Sequence, residues 1–339
     1  MTFDLPLIWG VVIAVAVLMY VLLDGFDLGI GALFPFARDE ERDVMTAAIA
    51  PVWDGNETWL VLGGGGLFAA FPLAYSILMP AFYMPIILML AALIFRGVAF
   101  EFRAHGRRRG RSFWTWAFAA GSIVATIAQG FVLGAFVQGV TVDGRQFGGG
   151  PFDWLTPFSV LTAVSLTLGY TLLGATWLIG KTEGELQAKA RRWARWLAIA
   201  VAVAMALVSF ATLSASPAVE ARWGVSMAAV DFGRLLPLLP APLLGAAGLA
   251  LVLLTAGREL RLAPYLGAAA AFLSGYAGLA ISIAPYVVPY SVTLWQAAAH
   301  DNALALLLIG VVVLLPVILS YTAYVYWVFR GKASPEHSY

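Results

Sequence analysis

The chain has 339 residues, of which 61% are hydrophobic and only 12% are Asp, Glu, Lys or Arg, whereas a soluble domain covers its surface with roughly 25% charged residues. That composition excludes a water-soluble globule, and a net charge of +1 lacks the basic face that nucleic acid requires. With no cysteine, disulfides, iron–sulfur clusters and thiolate metal sites are excluded as well.

The start, Met-Thr-Phe-Asp-Leu-Pro, has no basic segment before its apolar run, so that run is read as a retained membrane helix rather than a cleaved signal. Taken in order, the apolar stretches predict nine spans: Leu7–Phe34, Pro51–Leu78, Pro80–Phe102, Phe113–Val140, Trp154–Ile179, Trp193–Leu213, Leu235–Thr255, Ala263–Ala284 and Asn302–Phe329. Each approaches or exceeds the roughly 20 residues that a lipid bilayer demands. They are too long and too uniformly apolar for barrel strands, so the fold is all-α: a polytopic membrane protein of about nine helices. Two four-helix units plus one peripheral helix would fit this number, although no internal repeat marks the division. The whole chain, residues 1–339, is read as a single integral membrane domain. Pro237, Pro240 and Pro242 crowd the start of the seventh span.

Basic residues orient these spans. Sixteen of the twenty Lys and Arg fall in the loops after spans one, three, five and seven or in the C-terminal tail. The opposite loops hold Arg145, Arg222 and Arg234, and Arg96 lies inside a span. By the positive-inside rule the N-terminus is external and the C-terminus cytoplasmic.

Ionisable residues inside spans are costly and usually face an interior, a partner or water. Here they gather in the first three. Span one carries Asp24-Gly25-Phe26-Asp27-Leu28-Gly29, its carboxylates three residues apart on one helix face. Span two opens Pro51-Val52-Trp53-Asp54-Gly55-Asn56-Glu57, with Asp54 and Glu57 again three apart, and span three ends Phe95-Arg96-Gly97-Val98-Ala99-Phe100-Glu101. From the rise per residue, Asp54 and Glu101 lie about 5 Å from the cytoplasmic end, Arg96 and Asp27 about 10 Å in, and Asp24 deeper. Five acids against one deep base would leave a large negative charge in a low dielectric. Some of these carboxyls are therefore expected to carry a proton near neutrality, as a proton wire requires. The bland alternative is one structural ion pair with the remaining acids at wet helix ends. Gly63–Gly66, in the middle of span two, favours close helix packing over a cofactor contact.

His105, His300 and His337 are the only histidines. His105 sits in a cytoplasmic loop, His300 at the outer entry to span nine and His337 in the tail, so no two can sandwich a haem. His300 is expected to be an interfacial polar residue.

The three motifs, in this order and spacing, resemble subunit II of cytochrome bd-type ubiquinol oxidases, and the length is most similar to the cyanide-insensitive branch. Gln138-Gly139, the outer segment Pro285–Trp295 and the terminal Tyr321-Thr322-Ala323-Tyr324 also match. The resemblance covers nearly the whole chain, although spans four to seven match mainly by hydropathy. It implies a heterodimer in a prokaryotic inner membrane that oxidises quinol (ubiquinol) and reduces dioxygen to water. Two haems b, one haem d and the quinol site are expected on subunit I, with none of these haems on this chain. The other expected partners are a small single-helix accessory subunit and membrane lipid, and some relatives hold a structural quinone in subunit II. The resemblance further implies that Asp54 belongs to a proton channel between the subunits, with Trp53, Asp27, Arg96 and Glu101 nearby. The competing class is a proton-coupled secondary transporter, which also needs intramembrane acids. Transporters usually divide such residues between two repeats, whereas here they occupy one corner. A purely structural assembly partner would leave the acids unexplained.

Overall fold

Lipid offers no hydrogen-bond partner to a backbone amide, so each apolar run closes its own bonds as a helix. The computed structural model describes residues 3–105, 108–214, 216–226 and 229–333, with no side chains described for 104–109. Arg107, His337 and Tyr339, and the side chains of His105, Arg108 and Arg109, therefore lie outside the described residues. The first run is α1 (Leu5–Leu33). Asp4 caps it, accepting the Leu7 amide at 3.1 Å, which satisfies one of the donors a helix start leaves free.

A short helix not expected from the sequence follows, α2 (Asp39–Ala47). The second predicted span is two helices rather than one, α3 (Trp53–Ala70) and α4 (Pro72–Ala81). The break falls at Phe71, whose φ of −130° and ψ of 62° leave the helical region. Proline crowds the residue before it out of that region, and Pro72 supplies the clash. Next come α5 (Tyr83–His105) and α6 (Arg108–Gln138). The third span thus begins at Tyr83, because Pro80 belongs to α4.

The second half contains α7 (Pro157–Lys181), α8 (Gly184–Leu213) and the short α9 (Pro217–Trp223). The sixth span starts nine residues earlier than expected, since the basic run Lys189–Arg195 is part of the same helix. The seventh is broken into α10 (Phe232–Leu235), a 3₁₀ turn at Leu236–Leu238 and α11 (Pro240–Thr255), bent by 46°. Prolines at the start of each new piece cannot donate to the preceding turn, so each restarts the helix. Then come α12 (Ala263–Ile283), α13 (Leu294–Ala297) and α14 (Asp301–Val328).

Among the described residues seven helices are long and apolar enough to cross a membrane, or eight if the bent α10–α11 pair is one span. The expected span missing from this set is the second, which forms α3 and α4. In α3, Asp54, Asn56, Glu57 and five glycines dilute the apolarity of an 18-residue helix, which at 1.5 Å per residue still reaches about 27 Å.

The helices α1, α3, α5 and α6 pack as one group and α7, α8, α11 and α12 as a second, joined where α7 meets α1 and α6. At the junction a Cβ on Gly29 would overlap the Tyr170 carbonyl, and one on Gly174 would meet the Gly29 carbonyl carbon at 2.6 Å. Glycine there lets two backbones touch. In the glycine run of α3, Gly63 and Gly66 serve this purpose against Val17 and Ile13 of α1. Gly64 and Gly65 face away, with no described neighbour within 4 Å of a built Cβ, so close packing accounts for half of the run.

At the end of the bundle where α5 gives way to α6, α2 ties the groups together. Its Glu41 binds Lys189 of α8 at 2.7 Å, and its Asp43 binds Arg103 of α5 at 2.8 Å and Arg111 of α6. At the opposite end two hairpins cap the helices: β1 (Val142–Asp143) with β2 (Gln146–Phe147), and β3 (Tyr286–Val288) with β4 (Val292–Thr293). The second is anchored by Tyr290, whose hydroxyl donates to the Val137 carbonyl at 2.9 Å, and by Trp295 on Asp4 at 3.1 Å. The final helix, α14, lies against α1 and α3 and is mostly exposed.

Candidate functional site

The helical repeat puts Tyr20, Asp24, Asp27 and Gly31 on one stripe of α1. That stripe faces α3, α5 and α6, which deliver the remaining polar groups. Asp24, Asp27 and Arg96 are all buried, at 0%, 0% and 1% exposure. Arg96 Nη1 donates to Asp24 Oδ1 at 3.1 Å and to Glu57 Oε1 at 2.7 Å. A single guanidinium therefore bridges a carboxylate from α1 and one from α3. The bland expectation of one ion pair undercounts it.

Arg96 can reach the pair because α6 comes close at Gly121, where a Cβ would lie 3.0 Å from that of Arg96. The guanidinium also sits 5.9 Å from the centre of the Phe118 ring, a favourable position for a cation over an aromatic face. Its Nε and Nη2, together with Asp24 Oδ2 and Asp27 Oδ1, are buried without a protein hydrogen-bond partner. Unpaired polar atoms at this depth are costly. Their concentration in one cluster distinguishes it from ordinary packing.

Asp27 does not touch Arg96. Its Oδ2 accepts from Asn56 Nδ2 at 2.7 Å, and Asn56 also donates to the Leu23 carbonyl at 3.2 Å. Glu57 is the transitional group, with its carboxylate on Arg96 and 28% of its side chain exposed. One turn earlier Asp54 is exposed at the start of α3. Trp53 is half-buried, 5.0 Å from Phe100 ring to ring and 3.5 Å from a built Cβ of Gly97. Glu101 is exposed near the C-terminal end of α5, a turn and a half beyond Arg96. The structure thus brings Asp24, Asp27, Glu57 and Arg96 together, and sets Asp54 and Glu101 at the rim.

Further polar groups extend the cluster. Gln129 of α6 donates to Tyr20 Oη at 2.7 Å and accepts from Tyr170 of α7 at 2.9 Å. Tyr326 of α14 donates to Asn56 Oδ1 at 3.0 Å. None of these was singled out in the sequence, because a neutral amide or phenol does not interrupt an apolar run as an acid does. The available signal was weaker: a polar amide, Asn56, set between Asp54 and Glu57 in an otherwise apolar span.

His300 is taken up structurally as the N-cap of α14, its Nδ1 accepting the Asn302 amide at 3.3 Å.

The family described as cytochrome bd terminal oxidase subunit II matches residues 5–329. This chain belongs to that family. Cytochrome bd-I ubiquinol oxidase subunit 2 of Escherichia coli (strain K12) is 32% identical over 373 residues, covering 98% of this chain and 96% of that protein. Cytochrome bd ubiquinol oxidase subunit 2 of Bacillus subtilis (strain 168) is 29% identical and covers 96% of both chains. Among solved structures, a chain of the bd oxidase from Geobacillus thermodenitrificans superposes with a TM-score of 0.75. That match covers 97% of this chain and all of the other at 16% identity, a likeness of fold. As a subunit II, the chain is part of an oxidoreductase complex, the cytochrome bd ubiquinol oxidase. Its family implies a subunit I partner and a multi-pass place in the inner membrane.

Proposed function

We propose that this subunit II supplies the cytoplasmic proton path of an oxidase that takes electrons from quinol and reduces dioxygen to water. Reducing dioxygen to water consumes one proton for each electron, so protons must reach the reaction from an aqueous phase. Two haems b and a haem d on subunit I supply the electron chemistry, and quinol is oxidised there. This chain's residues move and hold protons. Asp54 and Glu101, at the cytoplasmic rim, collect protons from water with Trp53 beside them. Glu57 carries them past the membrane boundary, and Asp24 and Asp27 receive them inside.

The observation that carries this reading is the contact sequence from a partly exposed Glu57, through Arg96, to a fully buried Asp24. Arg96 keeps its charge at any ordinary pH. Its part is to hold excess negative charge in the cluster so that acids can gain and lose protons without unfolding the site. The chain works as one membrane-embedded unit with its N-terminus outside and its C-terminus in the cytoplasm. An accessory single-helix subunit and membrane lipid complete the assembly.

Asp54→Asn tests the path, since it keeps size and hydrogen bonding and removes the transferable proton. In the purified complex, haem content should match the wild type while quinol-driven oxygen uptake per haem falls at least several-fold. Asp27→Asn should act in the same direction. Normal turnover in both variants would leave the acids with a packing role alone.

A further inference from the structure

Asp27 is gripped from a helix that otherwise hardly enters the bundle. Asn56, 1% exposed, has both ends of its amide assigned by its neighbours. The Leu23 carbonyl can only accept, so Nδ2 must face it, 3.2 Å away, and the same Nδ2 donates to Asp27 Oδ2 at 2.7 Å. Oδ1 then faces the Tyr326 hydroxyl, which donates across 3.0 Å. Asp27 Oδ1 is left as the buried carboxyl oxygen with no protein partner.

Tyr326 is itself fixed. Its ring meets the Trp177 ring edge-on at 5.9 Å, and Trp177 stacks on Phe26 at 4.2 Å, next to Asp27 in the chain. Just past Tyr326 the chain is strapped to the end of α7. Lys181 donates to the Phe329 carbonyl, Lys332 donates to the Thr182 carbonyl at 2.8 Å, and the Ala333 amide to the Lys181 carbonyl at 2.8 Å. A mostly exposed helix is thus held at its cytoplasmic end, where it carries a hydroxyl to the acid cluster.

We propose that Tyr326, acting through Asn56, is a positioning residue that locks the Asp27 carboxyl so that Oδ1 alone gains and loses the proton. This deepens the proton-path reading and rests on it. An amide proton is far too weakly acidic to be passed on, so Asn56 orients Asp27 and blocks transfer toward α14. Proton uptake forms an O–H bond at Oδ1 and release breaks it. No electron moves in this step. The charged and titratable groups around Asp27 are Asp24 on its own helix, Glu57 on α3, Arg96 on α5, Tyr265 on α12 and Tyr326 on α14. Arg96, Asp24 and Glu57 are the ones whose charge changes or stays fixed during uptake, and the free oxygen exchanges with that side.

The experiment uses the assembled complex with its partner subunit. Tyr326→Phe removes one oxygen and keeps the ring, and Asn56→Ala removes the amide and keeps the tyrosine. Haem content and thermal midpoint are measured together with oxygen uptake per haem across pH 5.5 to 9. Tyr326→Phe should keep its haem, lose about three- to ten-fold in turnover (the range set by one net hydrogen bond), and show a displaced pH profile. Asn56→Ala should displace the profile in the same direction, and it decides the matter if Tyr326→Phe fails to assemble. Wild-type turnover and pH profile in both variants, with a slow Asp27→Asn, would overturn the positioning role and leave the proton path standing. A lower thermal midpoint with an unchanged profile would also overturn it, since that is all a structural bond would do. If Asp27→Asn is itself normal, the path and the positioning role fall together.

Discussion

Arg96→Leu removes the one cation that Asp24 contacts among the described residues. In the folded chain Asp24 is 0% and Arg96 1% exposed, so neither can turn to water when the other is lost. Deleting one partner of a buried pair costs about 3–5 kcal/mol because the survivor is stranded. Glu57 softens the blow little: it is 28% exposed and can rotate outward, whereas Asp24 cannot. Against a total stability on the order of 5–15 kcal/mol, such a loss removes about a fifth or more. With a few degrees lost per kcal/mol, the midpoint should fall by on the order of 10 °C. The assay is fluorescence-detected size exclusion of the complex after stepwise heating, with haem per protein on the surviving peak. Arg96→Leu should lose most of the assembled peak at ordinary growth temperature. Adding Asp24→Asn to it should recover much of the peak, because the stranded charge is gone. A single variant as stable as the wild type, or a double variant no better than the single, would refute the pairing argument.

Three further outcomes follow from features already described. A reporter fused after Tyr339 should read cytoplasmic and one inserted between residues 141 and 153 external; both on one side would break the topology. Gly29→Ala should destabilise the complex by about 1–3 kcal/mol or more, since its Cβ would overlap the Tyr170 carbonyl, while Gly275→Ala, whose built Cβ meets no described atom within 4 Å, should be neutral in the same melting assay. At Glu41, burial raises the carboxyl, but the Arg38 amide at 2.7 Å and the Lys189 ammonium at 2.7 Å outweigh it and hold it below the usual glutamate range. A depressed acid stabilises the fold above its unfolded value and loses that contribution as pH falls through the folded one. Limited proteolysis of α2 should therefore be pH-independent near neutrality and accelerate only below about pH 4, and Glu41→Gln should be cleaved faster at neutral pH.

The acids and Arg96 were legible because each breaks an apolar run, and their three-residue spacings fixed a common helix face. Which acids would meet was not legible. Sequence spacing pairs Asp54 with Glu57, yet α3 turns Glu57 to Arg96 and leaves Asp54 at the rim, a matter of how far the helix is rotated against α1. The break at Phe71 was present in the Phe71-Pro72 step but masked by unbroken apolarity on both sides. Helix α2 was read as loop because nine mostly polar residues carry no span signal, although Asp39, Glu40 and Glu41 are where a helix start favours acids. Asn56 and Tyr326, separated by 270 positions, could be joined only by the fold.

Biogenesis inherits a problem from the pairing of Asp24 with Arg96. The arginine is encoded 72 residues after the aspartate, so α1 leaves the ribosome and meets the translocon with two acids and no counter-ion. Each central aspartate adds about 2.5–3.5 kcal/mol against insertion, and the rest of α1, with a mean hydropathy of 2.6 in its most apolar window, has to carry both until α5 emerges. That apolarity lets α1 enter the bilayer alone and hold two unsatisfied carboxyls until the partners that need them have been synthesised.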